Sequence, residues 1–311
     1  MAEKMSTRDA YGKALLKLGE SNPRVVVLDA DLWTSTRTQK FREQWPERFV
    51  DLGIAEQNMI GVAAGLALEG KIPFASSFAC FGARGWEQAR VSVGLAKVNV
   101  KLAFTHGGLT VGEDGASAQM LEDIALWRAL PNMVVIVPAD GVEGEKATLA
   151  AAEHCGPVYL RFGRSSEPLL FDEGYDFRIG KAAKLRDGAD VTIAACGIMT
   201  ARALEAAERL AAENIEAALL NVATIKPIDV EAITEAARAT GALVTAEEHQ
   251  VNGGLGGAVA EVTARHCPAP IEMVAVDDTY GETGTPDELL EKYGLTVDAI
   301  VEAARRAVAR K

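Results

Sequence analysis

The chain has 311 residues, 49% of them hydrophobic and 24% charged, which is typical of a globular protein with about two domains. Its 44 acidic and 32 basic side chains give a formal net charge of −12. No Lys/Arg-rich tract is present, which argues against nucleic acid or an anionic membrane surface as the main partner. No apolar run approaches the ~18 residues that a membrane span needs.

Cysteine and histidine usage limits the chemistry further. The four cysteines form no Cys-x-x-Cys pair, and the N-terminal segment MAEKMSTRDA has no apolar signal-peptide core. Both observations favour a reducing, cytoplasmic location. Because the chain has only four histidines, we predict no metal site made from its own residues.

The first half of the chain alternates short apolar runs with longer helical patterns. Nearly continuous apolar strands are typical of a parallel sheet that helices cover on both faces. The predicted strands are Arg24–Asp29, Arg48–Leu52, Ile72–Ser77, Val100–Thr105, Met133–Pro138 and Val158–Arg161. The predicted helices are Thr7–Leu18, Glu56–Leu68, Ala83–Leu95, Ala118–Leu130 and Gly141–Glu153.

The alternation stops at residues 166–188, which are rich in turn signals, and then resumes. We therefore predict an α/β protein with two three-layer domains, residues 1–165 and 189–311, each with a mostly parallel sheet, joined by a linker at 166–188. The later strands are predicted at Asp190–Ala195, Glu216–Asn221, Ala242–Ala246 and Ile271–Ala275. The later helices are predicted at Thr200–Ala212, Val230–Thr240, Gly257–His266 and Val297–Ala309.

Two segments lie where a predicted strand leads into a helix, the edge at which α/β proteins bind ligands. In Asp51–Leu68, Glu56 falls at the helix N-terminus, where a carboxylate either takes part in chemistry or stabilises the helix dipole. Phe78 and Phe81 follow another strand, three residues apart. They either form an aromatic platform for a flat heterocycle or pack in the core.

Two glycine-rich segments complete the set of candidate motifs. Thr105–Gln119 is a long loop that contains His106 and Asp114, and it is either a ligand-binding loop or a turn-rich surface excursion. Asn252–Gly257 lacks the full dinucleotide-binding pattern, so a tight turn into a helix is the better interpretation.

Together these segments resemble the C-terminal half of a transketolase, in the form that is one subunit of a split, two-gene enzyme. The resemblance extends over essentially the whole chain and is most specific in Asp51–Gly65, Thr105–Asp114 and Glu247–Gly257. It implies a thiamine-diphosphate pyrimidine-binding domain followed by the transketolase C-terminal domain. The implied reaction transfers a two-carbon ketol unit from a ketose phosphate to an aldose through a thiamine diphosphate carbanion.

The resemblance assigns a cofactor role to four residues. It implies that Glu56 contacts N1′ of the aminopyrimidine, where a shared proton favours the 4′-imino tautomer. Phe78 and Phe81 match the aromatic residues that hold this ring, and Asp31 matches an acid near the cofactor at the subunit interface. A third aromatic of some members is replaced here by Arg84.

The resemblance also implies a binding site for the sugar phosphate. Two guanidinium groups, a hydroxyl and an imidazole can surround a dianion with charge-assisted hydrogen bonds. The residues that match the phosphate end of the substrate are Arg8, Ser35, His106 and Arg164, and Asp114 matches a residue that contacts a substrate hydroxyl.

Two departures from the family pattern stand out. Ala118 replaces a histidine that usually reaches the reacting end of the sugar, so one hydrogen-bond donor is missing there. The family also binds Mg²⁺ and the diphosphate through a Gly-Asp-Gly motif, which occurs nowhere in this chain. We therefore expect an N-terminal transketolase subunit to supply the pyrophosphate domain and the magnesium ligands, in an α2β2 assembly.

Three alternatives remain open. An E1 β-type subunit of a 2-oxo acid dehydrogenase fits less well, because its substrates lack the sugar phosphate that the four matching residues would bind. A relative of deoxyxylulose-phosphate synthase fits less well because the pyrophosphate domain is missing. The third alternative is a non-catalytic homologue that only binds a partner, and the retention of Glu56 weighs against it.

Overall fold

The computed structural model describes residues 3–311 and has two α/β units, as predicted. The strands are β1 Lys4–Ser6, β2 Val25–Asp29, β3 Phe49–Asp51, β4 Ile72–Phe78, β5 Lys101–Thr105, β6 Val134–Ile136, β7 Val158–Arg161, β8 Ser166–Pro168, β9 Ala183–Arg186, β10 Val191–Ala195, β11 Ala217–Asn221, β12 Thr224–Lys226, β13 Leu243–Gln250 and β14 Ile271–Val276. The α-helices are α1 Thr7–Ser21, α2 Gln39–Gln44, α3 Glu56–Leu68, α4 Ala79–Gly82, α5 Trp86–Gln88, α6 Asp123–Arg128, α7 Gly141–Glu153, α8 Met199–Ala211, α9 Val230–Thr240, α10 Leu255–His266, α11 Pro286–Lys292 and α12 Val297–Ala309.

The first sheet has seven strands in the order β12-β6-β7-β5-β4-β2-β3. All of its neighbours are parallel except β12, which runs antiparallel to β6. Successive residues of β2 point to opposite faces, so Val25 packs in the cluster that contains α1 and α7, while Val26 packs in the cluster that contains α3 and α6. Helices therefore cover both faces of this sheet, which confirms the predicted three layers.

The second sheet has five strands in the order β14-β13-β10-β11-β9, and only β9 is antiparallel to its neighbour. Ile193 of β10 faces the cluster that contains α8 and α12. The next residue, Ala194, faces the cluster that contains α9 and α10. That second cluster is the same one that covers the α3 face of the first sheet, so the two units share one apolar core.

Short strands that the sequence pattern did not predict join the two units more closely. Thr224 of β12 pairs with Ile136 of β6, so a segment that follows β11 of the second sheet becomes the edge strand of the first. The stretch 166–188, predicted as a linker, contains β8 and β9. The domain boundaries themselves stay a prediction.

Several predicted elements have the predicted bounds, among them α3, α7, β7, α9 and α12. The helix predicted over Ala118–Leu130 is wrong at its beginning, because α6 starts only at Asp123. The Gly115 carbonyl accepts hydrogen bonds from the N–H groups of Ala118 and Gln119 and holds this stretch in a turn. The helix predicted over Ala83–Leu95 is also broken into short pieces that end in a π-helical segment. Within residues 3–311, no helix combines the length and hydropathy needed to cross a bilayer.

A buried carboxylate connects the first unit to the second. Glu143, in the first turn of α7, accepts hydrogen bonds from the Ala139 N–H at 2.7 Å, from Asn221 Nδ2 at 2.7 Å and from the Tyr175 hydroxyl at 2.9 Å. Asn221 ends β11 of the second sheet, and Tyr175 lies in the stretch between the two units. Burial raises the pKa of Glu143 to about 7, since the three donors only partly replace water.

We expect Glu143 to make the fold less stable as the pH rises. In the folded chain the pKa of this carboxyl is about 7, whereas its ordinary pKa is 4.5. The free energy of unfolding therefore falls as the pH rises from about 4.5 through 7. In urea unfolding, Glu143→Gln should flatten the fall in stability between about pH 5 and pH 8. Glu145→Gln, a half-buried site on the same helix, should keep the wild-type slope. Equal slopes for Glu143→Gln and wild type would contradict this expectation.

Candidate functional site

The predicted site residues gather at one edge of the first sheet. The neighbouring strands β2, β4, β5 and β7 are parallel, so the loops that follow them meet at their carboxyl ends. The predicted residues on these loops, or at the starts of the helices α1 and α3, are Arg8, Asp31, Ser35, Glu56, Phe78, Phe81, His106, Asp114 and Arg164.

Arg8 is the centre of the predicted anion site. Its Nη1 atom donates to the Ser35 carbonyl oxygen at 3.2 Å and lies 3.4 Å from His106 Nε2. Arg164 lies near enough for its charge to act on both Arg8 and His106. Arg164 Nη1 donates to the Val111 carbonyl oxygen, so it is held by the same loop that carries Asp114. Three of the four predicted phosphate-end residues are therefore in direct contact, and the fourth is beside them.

The electrostatics of this cluster favour an anionic ligand. Burial, together with the cations of Arg8, Arg164 and Arg37, lowers the pKa of His106 to about 3, so the imidazole is neutral at pH 7. Burial and the neighbouring Arg37 also lower the pKa of Arg8. Within the part of the chain that the structure describes, Arg8 Nε is buried without a hydrogen-bond partner. A buried donor of this kind fits an acceptor that comes with a ligand.

Two residues of this cluster were missed from the sequence. Arg37 pairs with Asp9 at 2.7 Å and contributes to the positive field at His106. Asp29, the last residue of β2, is buried and accepts from the Leu32 N–H at 2.7 Å and from the hydroxyls of Thr36 and Thr38. This holds the loop that carries Ser35 in place. The sequence signal that could have identified Asp29 is an acidic residue at the end of an apolar strand.

Backbone strain is concentrated in the same place. Asp31, Arg37 and His106 all have positive φ angles, of 62°, 69° and 60°. Non-glycine residues rarely adopt this conformation unless the surrounding structure imposes it, and such residues cluster at functional sites.

The predicted cofactor residues lie next to the anion cluster. Glu56 is the first residue of α3 and is only 2% exposed. Phe78 is the last residue of β4, and the half-buried Phe81 lies in the short helix α4 that follows it. The Phe78 and Phe81 rings are stacked, with centroids 5.4 Å apart, so they project the same way. Phe78 also stacks on His106 at 3.6 Å. The aromatic pair thus adjoins the anion cluster, and α4, which carries Phe81, packs against α3, which begins with Glu56.

Three residues around this centre have a more peripheral place. The exposed Arg84 guanidinium lies 3.6 Å from Glu56 Oε2 and occupies the position at which the family resemblance implies an aromatic residue in some members. Asp31 and Asp114 are exposed at the rim of the site. The structure does not bring these two carboxylates into contact with the Arg8 cluster.

The site fits one end of thiamine diphosphate. A buried carboxylate beside a stacked aromatic pair suits a protonated, flat aminopyrimidine. Within residues 3–311, no group of three or more His, Cys, Asp or Glu side chains is arranged to hold a metal ion. The Glu56 carboxylate and the Phe78–Phe81 pair therefore have the chemistry that suits the pyrimidine end of the cofactor.

The glycine-rich segment Asn252–Gly257 serves an internal purpose. The Glu247 carboxylate accepts from the N–H groups of Leu255 at 2.7 Å and Gly256 at 2.8 Å, which caps α10. A Cβ atom on Gly254 would lie 2.0 Å from Glu247 Oε2, so a side chain there would displace the cap. The segment is a tight turn into a helix, as predicted.

Known proteins are similar to this chain over most of its length. Residues 3–168 match the family described as transketolase, pyrimidine binding domain, and residues 180–300 match transketolase, C-terminal domain. A 6-deoxy-6-sulfo-D-fructose transketolase subunit from Clostridium sp. (strain MSTE9) is 45% identical over 305 residues, which cover 98% of this chain and 95% of that protein. Rattus norvegicus transketolase is 38% identical over 314 residues, with 100% of this chain matching 50% of that protein.

A solved structure supports the same relationship. It is described as a split gene transketolase, an inactive β4 tetramer, and is 52% identical to this chain. The match has a TM-score of 0.92 and covers 99% of this chain and 100% of the other. The chain therefore belongs to the transketolase family, as a pyrimidine-binding domain followed by the family's C-terminal domain.

Proposed function

We propose that the chain is the C-terminal subunit of a split transketolase, which transfers a two-carbon ketol unit from a ketose phosphate to an aldose. An N-terminal subunit would supply the pyrophosphate domain and the magnesium ligands in an α2β2 assembly. The observation that carries this proposal is the continuous contact from the Phe81–Phe78 stack through His106 to Arg8. It joins a pyrimidine-binding surface to an anion-binding cluster.

At the cofactor end, this chain would bind and orient the aminopyrimidine. When bound, thiamine diphosphate supplies the nucleophilic carbon and the electron sink for ketol transfer. Glu56 would hold a proton at N1′, and burial of this carboxyl at the start of α3 keeps competing water away. Phe78 and Phe81 would hold the face of the ring.

At the substrate end, Arg8 and Arg164 would bind the terminal anion of the sugar. Because Nε2 of the neutral His106 accepts from Arg8, the hydrogen-bond network assigns its proton to Nδ1, which donates to Thr105 Oγ1 at 2.8 Å. The imidazole then orients Arg8 without adding a charge of its own. A sulfonate is the second candidate for the anion, supported by the name of the 45% identical relative.

Exposed apolar side chains on and around α3 support the proposed partner subunit. Ile54 precedes α3 and is 74% exposed, Leu68 ends the helix at 74%, and Leu95 of the neighbouring π-helical segment is 73% exposed. Exposed aliphatic side chains that form a contiguous patch mark an interaction surface, and burial of these three side chains by the partner is part of the proposal. Of the three, Ile54 is the one that lies next to Glu56 in the chain.

Removal of the Glu56 carboxyl should stop turnover without unfolding the chain. We expect Glu56→Gln to lower turnover of the complex reconstituted with the N-terminal subunit by about 10²–10⁴-fold, because a positioned proton donor is lost. Steady-state assays with ketose-phosphate donors would measure this, and circular dichroism would check the fold. Glu87→Gln, at an exposed carboxylate nearby, should remain near wild type. Unchanged activity of Glu56→Gln would sink the assignment.

This chain alone should not bind the cofactor tightly. We expect calorimetry with thiamine diphosphate and Mg²⁺ to show negligible heat for the isolated chain, because it lacks a ligand set for the metal and diphosphate. Addition of the N-terminal subunit should restore binding. Tight magnesium-dependent binding by the isolated chain would refute a site divided between two subunits.

The imidazole of His106 should stay neutral well below its ordinary pKa of 6.5. We expect its ring nitrogen signals in NMR to remain those of a neutral imidazole down to about pH 5. Arg8→Gln removes a neighbouring cation and should raise the pKa of His106. Arg24→Gln, at the far end of β2, should leave it unchanged. A wild-type titration near pH 6.5 would contradict the proposed electrostatics.

A further inference from the structure

The loop that carries Asp114 is held in place by the second unit of the chain. Leu109–Asp114 forms a 3₁₀ segment after β5, just beyond His106. Its first side chain, Leu109, is fully buried in the apolar cluster that contains α8 and α12. A loop that belongs to the first sheet by sequence is therefore packed into the core of the second.

A buried carboxylate of the second sheet binds the backbone of this loop. Glu248 lies on β13 and is almost fully buried, and its Oε1 atom accepts from the Thr110 N–H at 2.6 Å. The loop approaches so closely that only glycine fits at position 108, where a Cβ atom would lie 2.2 Å from the Glu248 carboxyl carbon. The φ angle of Gly108 is 95°, which favours glycine for a second reason.

The strand around Glu248 is itself tied to the first sheet. Arg161 of β7 donates from Nη2 to the Glu248 carbonyl oxygen at 2.9 Å and from Nε to Asp123 Oδ2 at 2.6 Å. The charged groups that act on the Glu248 carboxyl are the cation of Arg161 and the carboxylate of Glu167. Burial outweighs the attraction of Arg161 and raises the pKa of Glu248 to about 7.

The side chain of Gln119 also connects this loop to the segment before α11. Gln119 Nε2 donates to the carbonyl oxygens of Leu109 at 3.4 Å, Gly112 at 3.2 Å and Glu282 at 2.9 Å. The loop is therefore fixed directly to the second unit at two points, the side chain of Leu109 and the N–H of Thr110. A third, indirect link runs through Gln119, which joins the carbonyls of Leu109 and Gly112 to that of Glu282.

We propose that Glu248 is a positioning residue, which pins the loop between His106 and Asp114 and so sets the affinity for the terminal anion of the substrate without touching it. The consequence for the substrate rests on the proposed function. The loop also supplies the Val111 carbonyl that holds Arg164, so a displacement at Thr110 reaches a residue of the anion cluster directly. The second unit thereby acts on the anion cluster, whose residues Arg8, His106 and Arg164 all lie in the first unit.

Amide hydrogen exchange tests the anchor in the chain as it exists, without any assay of activity. We expect the Thr110 amide to exchange about tenfold faster in Glu248→Ala, because a short hydrogen bond to a carboxylate is lost. If Glu248→Ala does not fold, Glu248→Gln serves as the second variant. It keeps the size and one acceptor oxygen of the side chain, so we expect a smaller acceleration of exchange at Thr110. An unchanged Thr110 exchange rate in both variants would overturn the proposal.

Glu247→Ala is the matched control, since it removes the neighbouring buried carboxylate, which contacts α10 rather than the loop. It should accelerate exchange at Leu255 and Gly256 and leave Thr110 at the wild-type rate. If Glu247→Ala accelerates Thr110 as much as Glu248→Ala does, the effect is general loosening, and the specific anchor is rejected.

Kinetics of the reconstituted complex test the consequence for the substrate. We expect Glu248→Ala to raise KM for a ketose phosphate about tenfold and to leave kcat within about threefold, because binding geometry rather than proton transfer is changed. Faster exchange at Thr110 with an unchanged KM would overturn the role in substrate affinity. Absence of turnover in the wild-type complex would contradict the proposed function but not the hydrogen bond between Glu248 and Thr110. The exchange measurement tests that hydrogen bond separately.

Discussion

Burial of one apolar cluster between the two sheets is the constraint on which the rest of the structure depends. The α3 face of the first sheet and the α9 face of the second contribute to the same core, so the two units cannot move apart without exposing it to water. That fixed placement brings polar partners from distant parts of the chain together. The hydrogen bonds of Glu143 to Asn221 and of Glu248 to Thr110 form across this boundary. Both carboxylates are buried and titrate near pH 7, so each stabilises a particular geometry at some expense in stability.

In the proposed site, an acidic protein would hold an anion. Arg8, Arg37 and Arg164 form a local cationic cluster in a chain of net charge −12. Close cations repel one another, and a charged imidazole between them would add to that repulsion. The loss of the proton from His106 removes this cost and leaves a neutral ring that accepts from Arg8 on one edge and stacks on Phe78 with its face. One histidine thus connects the aromatic part of the site to its charged part.

The composition of the site agrees with the proposed binding of an aminopyrimidine. A buried carboxylate, Glu56, and a stacked aromatic pair, Phe78 and Phe81, are present. The side chains of Ile54 before α3, of Leu68 at its end and of Leu95 are exposed. Their burial by the proposed partner subunit would be favourable in itself.

Local pattern determined much of this protein. Apolar periodicity predicted both sheets and the bounds of α3, α7, α9 and α12, and it placed Glu56 at a helix start, because strand and helix periods are properties of neighbouring residues. The sequence resemblance named the residues of the anion cluster. Only the tertiary structure decided that β12 crosses to the first sheet, that Arg37 joins Arg8, and that Glu248 holds Thr110. These contacts join segments that are far apart in the chain. Hydrophobic periodicity and turn residues are local patterns, so they do not predict which distant polar groups the shared core brings within hydrogen-bond distance.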